Sequence, residues 1–149
     1  MDRNINHADK AVQYFLGGYN CAQSVFTAFC DVTGLTEESA LMLSSPLGGG
    51  MGRMREVCGA VSAMLLVLGS EKGYSEPDDE IKKALYEKVQ QLAGIFKEKH
   101  GTIICRELLD NPPSNPEPSE RTPEYYKDRP CARFVHDAAE IIENELKNL

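Results

Sequence analysis

From Glu56 to Leu68 the chain is apolar nearly all round: Val57, Ala60, Val61, Ala63, Met64, Leu65, Leu66 and Val67 leave no face for water. A helix of that composition must be enclosed, which predicts a central helix surrounded by others. Its longest apolar stretch, Ala60 to Leu68, contains Ser62 and falls well short of the roughly 20 residues that a membrane span needs. The rest of the chain must therefore supply a shell. Its apolar residues recur at helical spacing, and no stretch alternates convincingly with period two.

The shell can be read from caps and breakers. A first helix is expected from Asn6 to Leu16, with Ala8, Val12, Phe15 and Leu16 inward and Gly17-Gly18 ending it. Asn20 caps a second through Val25, Phe26 and Phe29 to about Asp31. Thr36 caps a third over Glu37 to Ser44. The central helix is expected to end at Gly69 and Gly73. Ser75 and Pro77 then open a long fifth helix to Lys99, half-buried through Ile81, Leu85, Val89, Leu92 and Phe96. A short sixth covers Thr102 to Leu109. The last runs from Pro130 to about Leu146 with Phe134, Val135, Ala138, Ile141, Ile142 and Leu146 facing in. Between them, residues 111–130 hold six of the chain's eight prolines. A loop that long is usually a functional cover or a disordered segment, and Tyr125-Tyr126 favours an ordered wrap. The expectation is one all-α domain over residues 1–149, a compact multi-helix bundle with one Pro-rich wrapping loop.

With 16 basic against 23 acidic residues, a net charge of −7 and a pI near 5.0, the chain is a poor partner for nucleic acid, which needs a basic face. The first residues, MDRNINHADKAVQYF, are polar and charged, which predicts no secretory leader and a cytoplasmic location. In a reducing compartment, cysteines more often serve catalysis, redox sensing or metal binding than structural disulfides.

Four of the five cysteines stand where a helix is expected to begin: Cys21 after Asn20, Cys58 after the glycine run, Cys105 after Gly101-Thr102, and Cys131 after Pro130. Unpaired N–H groups and a partial positive charge at such a position favour the thiolate, the form that attacks and that ligates metals. Cys30, deep in the second helix, reads as packing. Each cysteine taken singly could also be core filling, Cys105 most of all beside Ile103 and Ile104. No two form C-x-x-C, so any centre is assembled by the fold from four helices.

The run Gly48-Gly49-Gly50-Met51-Gly52 before Arg53 and Arg55 can present backbone N–H groups and two cations to an anion or cofactor. It lacks the Gly-Lys-Ser/Thr of a P-loop and follows no strand. The competing reading is a tightly turning connector. A third has the glycines bring backbone close to the thiols while an arginine lowers their pKa. His100 and His136 read as surface or partly buried polar residues, and no Ser-His-Asp set or paired carboxylates suggest a hydrolase.

Cys21 in GYNCAQSV, Cys58 in CGAVSAMLLVLG, and Cys105 and Cys131 further on give the chain its resemblance. It resembles the family of redox-active proteins named for the pattern C_GCAxxG_C_C, over nearly its whole length. Ala63 stands where the motif has its second glycine. The resemblance implies a thiol-based redox role and names no substrate. Some relatives are described as similar to haem-holding split-Soret cytochromes, but the absence of C-x-x-C-H excludes covalent c-type haem here.

Two chemistries fit the four cysteines. In the first, a thiol–disulfide oxidoreductase works with an unidentified redox partner: Cys58, between the arginine-bearing glycine loop and a helix start, attacks, and Cys21 resolves. Cys105 and Cys131 form a second pair under the Pro-rich segment. In the second, the same cysteines ligate zinc or an iron–sulfur cluster. A reading of another class needs neither: a helical scaffold or interaction module, a homo-oligomer, in which the cysteines fill space.

Overall fold

The computed structural model describes residues 6–147. Among them the chain is helical with no named strand: α1 His7–Leu16, α2 Cys21–Thr27, α3 Cys30–Thr33, α4 Glu37–Ser44, α5 Gly59–Lys72, α6 Asp79–His100, α7 Cys105–Leu108, α8 Pro123–Asp128 and α9 Cys131–Lys147. The all-α expectation holds. So does the central helix, since α5 packs against α2, α3, α6 and α9 and buries Val61, Ala63, Met64, Val67 and Leu68, but it is not enclosed all round: Leu66 is 42% exposed. Side chains from α1, α2, α5, α6 and α9 close one continuous apolar cluster.

The caps act as their residue types suggest. Asn6 Oδ1 accepts from the Asp9 N–H at the start of α1. Asn20 and Gln23 form a reciprocal capping box on α2, which fixes the residue immediately after the cap, Cys21. Asp78 accepts from the Glu80 and Ile81 N–H groups, and Gly101 in the left-handed region closes α6.

Several boundaries differ from the sequence reading, each for a tertiary reason. The second helix is broken at Phe29 (φ −110°, ψ 27°), where the ring is fully buried and stacks on His7 with centroids 4.2 Å apart. Cys30 consequently begins α3 instead of lying mid-helix. Helix α5 starts only at Gly59, because residues 56–58 pair in extended form with 103–105. It runs through Gly69, whose position faces open space, and stops at Gly73. Leu16 is 54% exposed, and Ala11 takes its place inside. Helix α6 packs more deeply toward its C-terminal end: Leu92 and Phe96 are buried, Leu85 and Val89 are partly buried against the core, and Ile81 is 47% exposed. The Pro-rich stretch is an ordered wrap, as expected, but holds helix α8, with Thr122 capping through the Tyr125 N–H.

Candidate thiol site

The four helix-start cysteines are all where the caps placed them: Cys21, Cys105 and Cys131 open α2, α7 and α9, and Cys58 is the residue that caps α5. They also meet. All four line one cavity of about 60 Å³, together with Gly49, Arg55, Arg121, Tyr125 and Arg129. Cys58 and Cys105 are nearly closed off, at 5% and 6% exposure, and Cys21 and Cys131 are half-buried. All five cysteines are free thiols.

A short two-stranded pairing brings Cys58 to Cys105. The Cys58 N–H donates to the Ile103 carbonyl at 2.8 Å and the Cys105 N–H to the Glu56 carbonyl at 2.6 Å, with Val57 and Ile104 facing as an antiparallel bridge. The glycine loop is shaped to the same end. Gly49, Gly50, Met51, Gly52 and Arg53 all have positive φ, from 57° to 71°, and Arg55 follows at 62°. A left-handed conformation costs a non-glycine residue about 1–2 kcal/mol, so Met51, Arg53 and Arg55 are held there by their surroundings. Arg55 is 4% exposed. Its Nε donates to the Pro113 carbonyl at 2.9 Å and its Nη1 to Cys105 Sγ at 3.7 Å.

Of the residues expected to hold an anion or cofactor, Gly48, Gly49, Arg53 and Arg55 line a second cavity beside the thiols. Gly50 does not. A Cβ there would lie 2.7 Å from Cys105 Cβ and from the Glu56 nitrogen, so this glycine lets the loop lie flat against the cysteine. No sequence motif marks Arg121, Arg129 and Tyr125 as site residues. The one hint is a pair of arginines flanking two tyrosines inside the proline-rich wrap.

The sulfurs are electrostatically unequal. At Cys21 the Cys58 thiol donates to the sulfur. Burial opposes ionisation, but the backbone N–H groups of Gly49, Ala22 and Gly59 add to the pull, and the pKa falls from 9.0 to about 6. Cys58 is pushed well up, first because its hydrogen is engaged by Cys21, then by burial and by the Cys21 charge. The two thiols thus titrate as a pair, Cys21 being its lowered member and Cys58 its raised one. The sequence expectation of Cys58 as the thiolate drew on a neighbouring arginine, and Arg55 reaches Cys105 instead. Burial pushes Cys105 up despite Arg55, and pushes Cys131 up to about 12.

These raised thiols have a consequence for stability. In the unfolded chain they ionise near 9.0, while in the folded protein Cys58, Cys105 and Cys131 stay protonated. Their contribution is present in full below the unfolded value and is lost as pH rises toward the folded one. The urea midpoint is therefore expected to fall steadily between pH 9 and pH 12, and less steeply in Cys131→Ala. A midpoint flat across that range contradicts these protonation states.

Among the described residues, no three His, Cys, Asp or Glu side chains converge closely enough to hold a metal ion. The four cysteines thus share a cavity wall without forming a ready-made ligand set. No helix among the described residues is long and apolar enough to cross a membrane.

A model of the family described as "Putative redox-active protein (C_GCAxxG_C_C)" matches residues 19–145. The chain belongs to this family. The matched stretch carries all four site cysteines, the glycine loop and the arginine-bearing wrap. In this C_GCAxxG_C_C protein Ala63, which stands at the motif's second glycine, is fully buried in the core and lines neither cavity. Its methyl group therefore meets packing and not the thiol site. No curated protein and no solved structure matches the chain significantly.

Proposed function

We propose that this protein performs thiol–disulfide exchange, with Cys21 as the attacking thiolate and Cys58 as the resolving thiol. The observation that carries this is the neighbourhood of the two thiols: Cys21 and Cys58 line one cavity, the Cys21 sulfur lies against Gly59, the residue next to Cys58, and the Cys58 thiol with the nearby amides lowers the Cys21 pKa. Donors preorganised on an anion stabilise it without reorganisation at the moment of reaction. A thiolate with a thiol in hydrogen-bond contact needs only a small motion to become a disulfide.

The Cys21 thiolate attacks one sulfur of a disulfide, forms a bond to it and expels the other half as a thiolate. Cys58 then attacks Cys21 Sγ, giving its proton to the departing thiolate, and the second half leaves. The protein dithiol loses two electrons, and the substrate is reduced to two thiol-state halves. Cys105 and Cys131 stay protonated on the cavity wall.

Equilibrating the protein in glutathione buffers of graded ratio, trapping with acid and mapping the peptides tests this. A reversible two-electron oxidation with a Cys21–Cys58 linkage is expected. A linkage confined to Cys105 and Cys131, or no linkage at any ratio, overturns the assignment.

A further inference from the structure

The thiol cavity adjoins a larger one of about 270 Å³, and the two share Asn20, Gly49, Arg55, Arg121, Tyr125 and Arg129 as walls. Four arginines line the larger space: Arg53, Arg55, Arg121 and Arg129. No aspartate or glutamate does. Their partners are neutral. Arg53 donates to the Asn115 carbonyl and Oδ1 and to Ser119 Oγ, and Arg121 donates to the Phe15 and Tyr19 carbonyls. Arg129 reaches Ser119 Oγ at 3.5 Å and lies over the Tyr125 ring. Among the described residues, none of the four pairs with a carboxylate.

A chain with 23 acidic residues and a net charge of −7 has ample carboxylates to neutralise four arginines, yet among the described residues none forms an ion pair with them, and Glu117 acts on Arg53 only as a minor opposing charge. Gathering like charges is costly. Burial, and then the charges of Arg55 and Arg129, push Arg53 below its ordinary value. Arg55 carries the plainest sign of a missing partner: its Nη2 is buried with no hydrogen-bond acceptor, although a buried guanidinium normally satisfies its donors. Arginine forks suit carboxylate and phosphate oxygens.

We propose that this pocket binds the anionic end of the disulfide that Cys21 attacks, so that the substrate class is small disulfides bearing carboxylate groups. This deepens the exchange reading and rests on it. The thiol cavity, at about 60 Å³, takes little more than the reacting sulfur. The adjoining space takes the charged arm, and the arginines fix where the S–S bond lies. The protein's overall negative charge works in the opposite direction, favouring cationic reactants at long range. A preference for anions would therefore be the signature of this pocket.

Three disulfides of similar size separate these effects: 3,3′-dithiodipropionate (anionic), 2-hydroxyethyl disulfide (neutral) and cystamine (cationic). Reduced protein is expected to react with the first about tenfold or more faster than with the second, an effect of about 1.4 kcal/mol, and slowest with cystamine. In R53Q/R129Q the preference collapses, read as the ratio of the dithiodipropionate rate to the 2-hydroxyethyl disulfide rate in the same variant, so that any change in Cys21 reactivity cancels. Inorganic sulfate slows the dithiodipropionate reaction and leaves alkylation alone. Calorimetry on Cys21→Ser reads binding without chemistry: dithiodipropionate binds, and at least tenfold more weakly when Arg53 and Arg129 are also replaced by glutamine. Equal rates for the three disulfides, with Cys21 still reactive toward iodoacetamide, overturn the anion pocket and leave the exchange reading standing. No reaction with any of them, with dithiodipropionate still bound by Cys21→Ser, overturns the exchange reading and leaves the pocket.

Discussion

Replacing Cys21 with serine is expected to remove the one thiol that alkylates rapidly at neutral pH. In the wild-type protein, the iodoacetamide rate of that thiol should follow a midpoint near pH 6, the value to which the Cys58 hydrogen and the surrounding N–H groups lower it. At pH 7 such a group is about 90% thiolate, against roughly 3% for an ordinary cysteine of pKa about 8.5. In Cys21→Ser the remaining thiols should react only as pH climbs past about 8.5, because burial holds Cys58, Cys105 and Cys131 up. Cys58→Ala makes the complementary case: one fast thiol survives, and its midpoint moves upward because its strongest single donor is gone. A midpoint near pH 6 that persists in Cys21→Ser would sink the assignment.

The second large effect is expected from a single methyl group. A Cβ at Gly59 would lie 2.7 Å from Cys21 Sγ and 2.7 Å from the Leu47 carbonyl oxygen. The Leu47 oxygen is backbone and the Cys21 sulfur can turn only about a single bond, so something in the site must move. Gly59→Ala should cost about 1–3 kcal/mol of stability, the range for overpacking a filled site. It should also raise the Cys21 midpoint, since the sulfur is displaced from the Gly59 and Gly49 N–H groups. Gly69→Ala in the same helix is the control, because a Cβ there meets nothing within 4 Å. That change should stabilise by up to about 1 kcal/mol through helix propensity and leave the thiol untouched. Equal urea midpoints for the two variants would show that close approach at Gly59 is not what the site depends on.

The cysteines' helix-start positions were legible because caps are local: Asn20, the glycine run and Pro130 act on their immediate neighbours. The convergence of the four was expected only as a consequence of their wide spacing. Which sulfur ionises was not legible. Arg53 and Arg55 lie near Cys58 in sequence, but a left-handed turn carries Arg55 to Cys105 and aims Arg53 at the wrap. The Gly49 amide meanwhile reaches Cys21 from across the loop. Periodicity likewise located the half-buried side of α6, with Ile81 alone left outside it, since spacing says which residues share a face and not how far the neighbouring helix extends. Arg121 and Arg129 escaped notice because a charged residue in an irregular segment normally points to water. Here Tyr125 and Phe15 offer aromatic faces that hold Arg121 inward.

The pairing of residues 56–58 with 103–105 couples access to potency in an unusual direction. Besides the Cys58 thiol, two of the N–H groups that lower the Cys21 pKa, those of Gly49 and Gly59, belong to the loop and the helix start on either side of the paired residues 56–58. A fluctuation wide enough to admit a bulky protein surface would carry Gly49 and Gly59 away from the sulfur, and what it exposed would be an ordinary, protonated cysteine. Only a reactant slim enough to enter without loosening the loop meets the thiolate. On the exchange reading proposed above, loosening this pairing is therefore expected to slow the reaction of Cys21 and not to speed it.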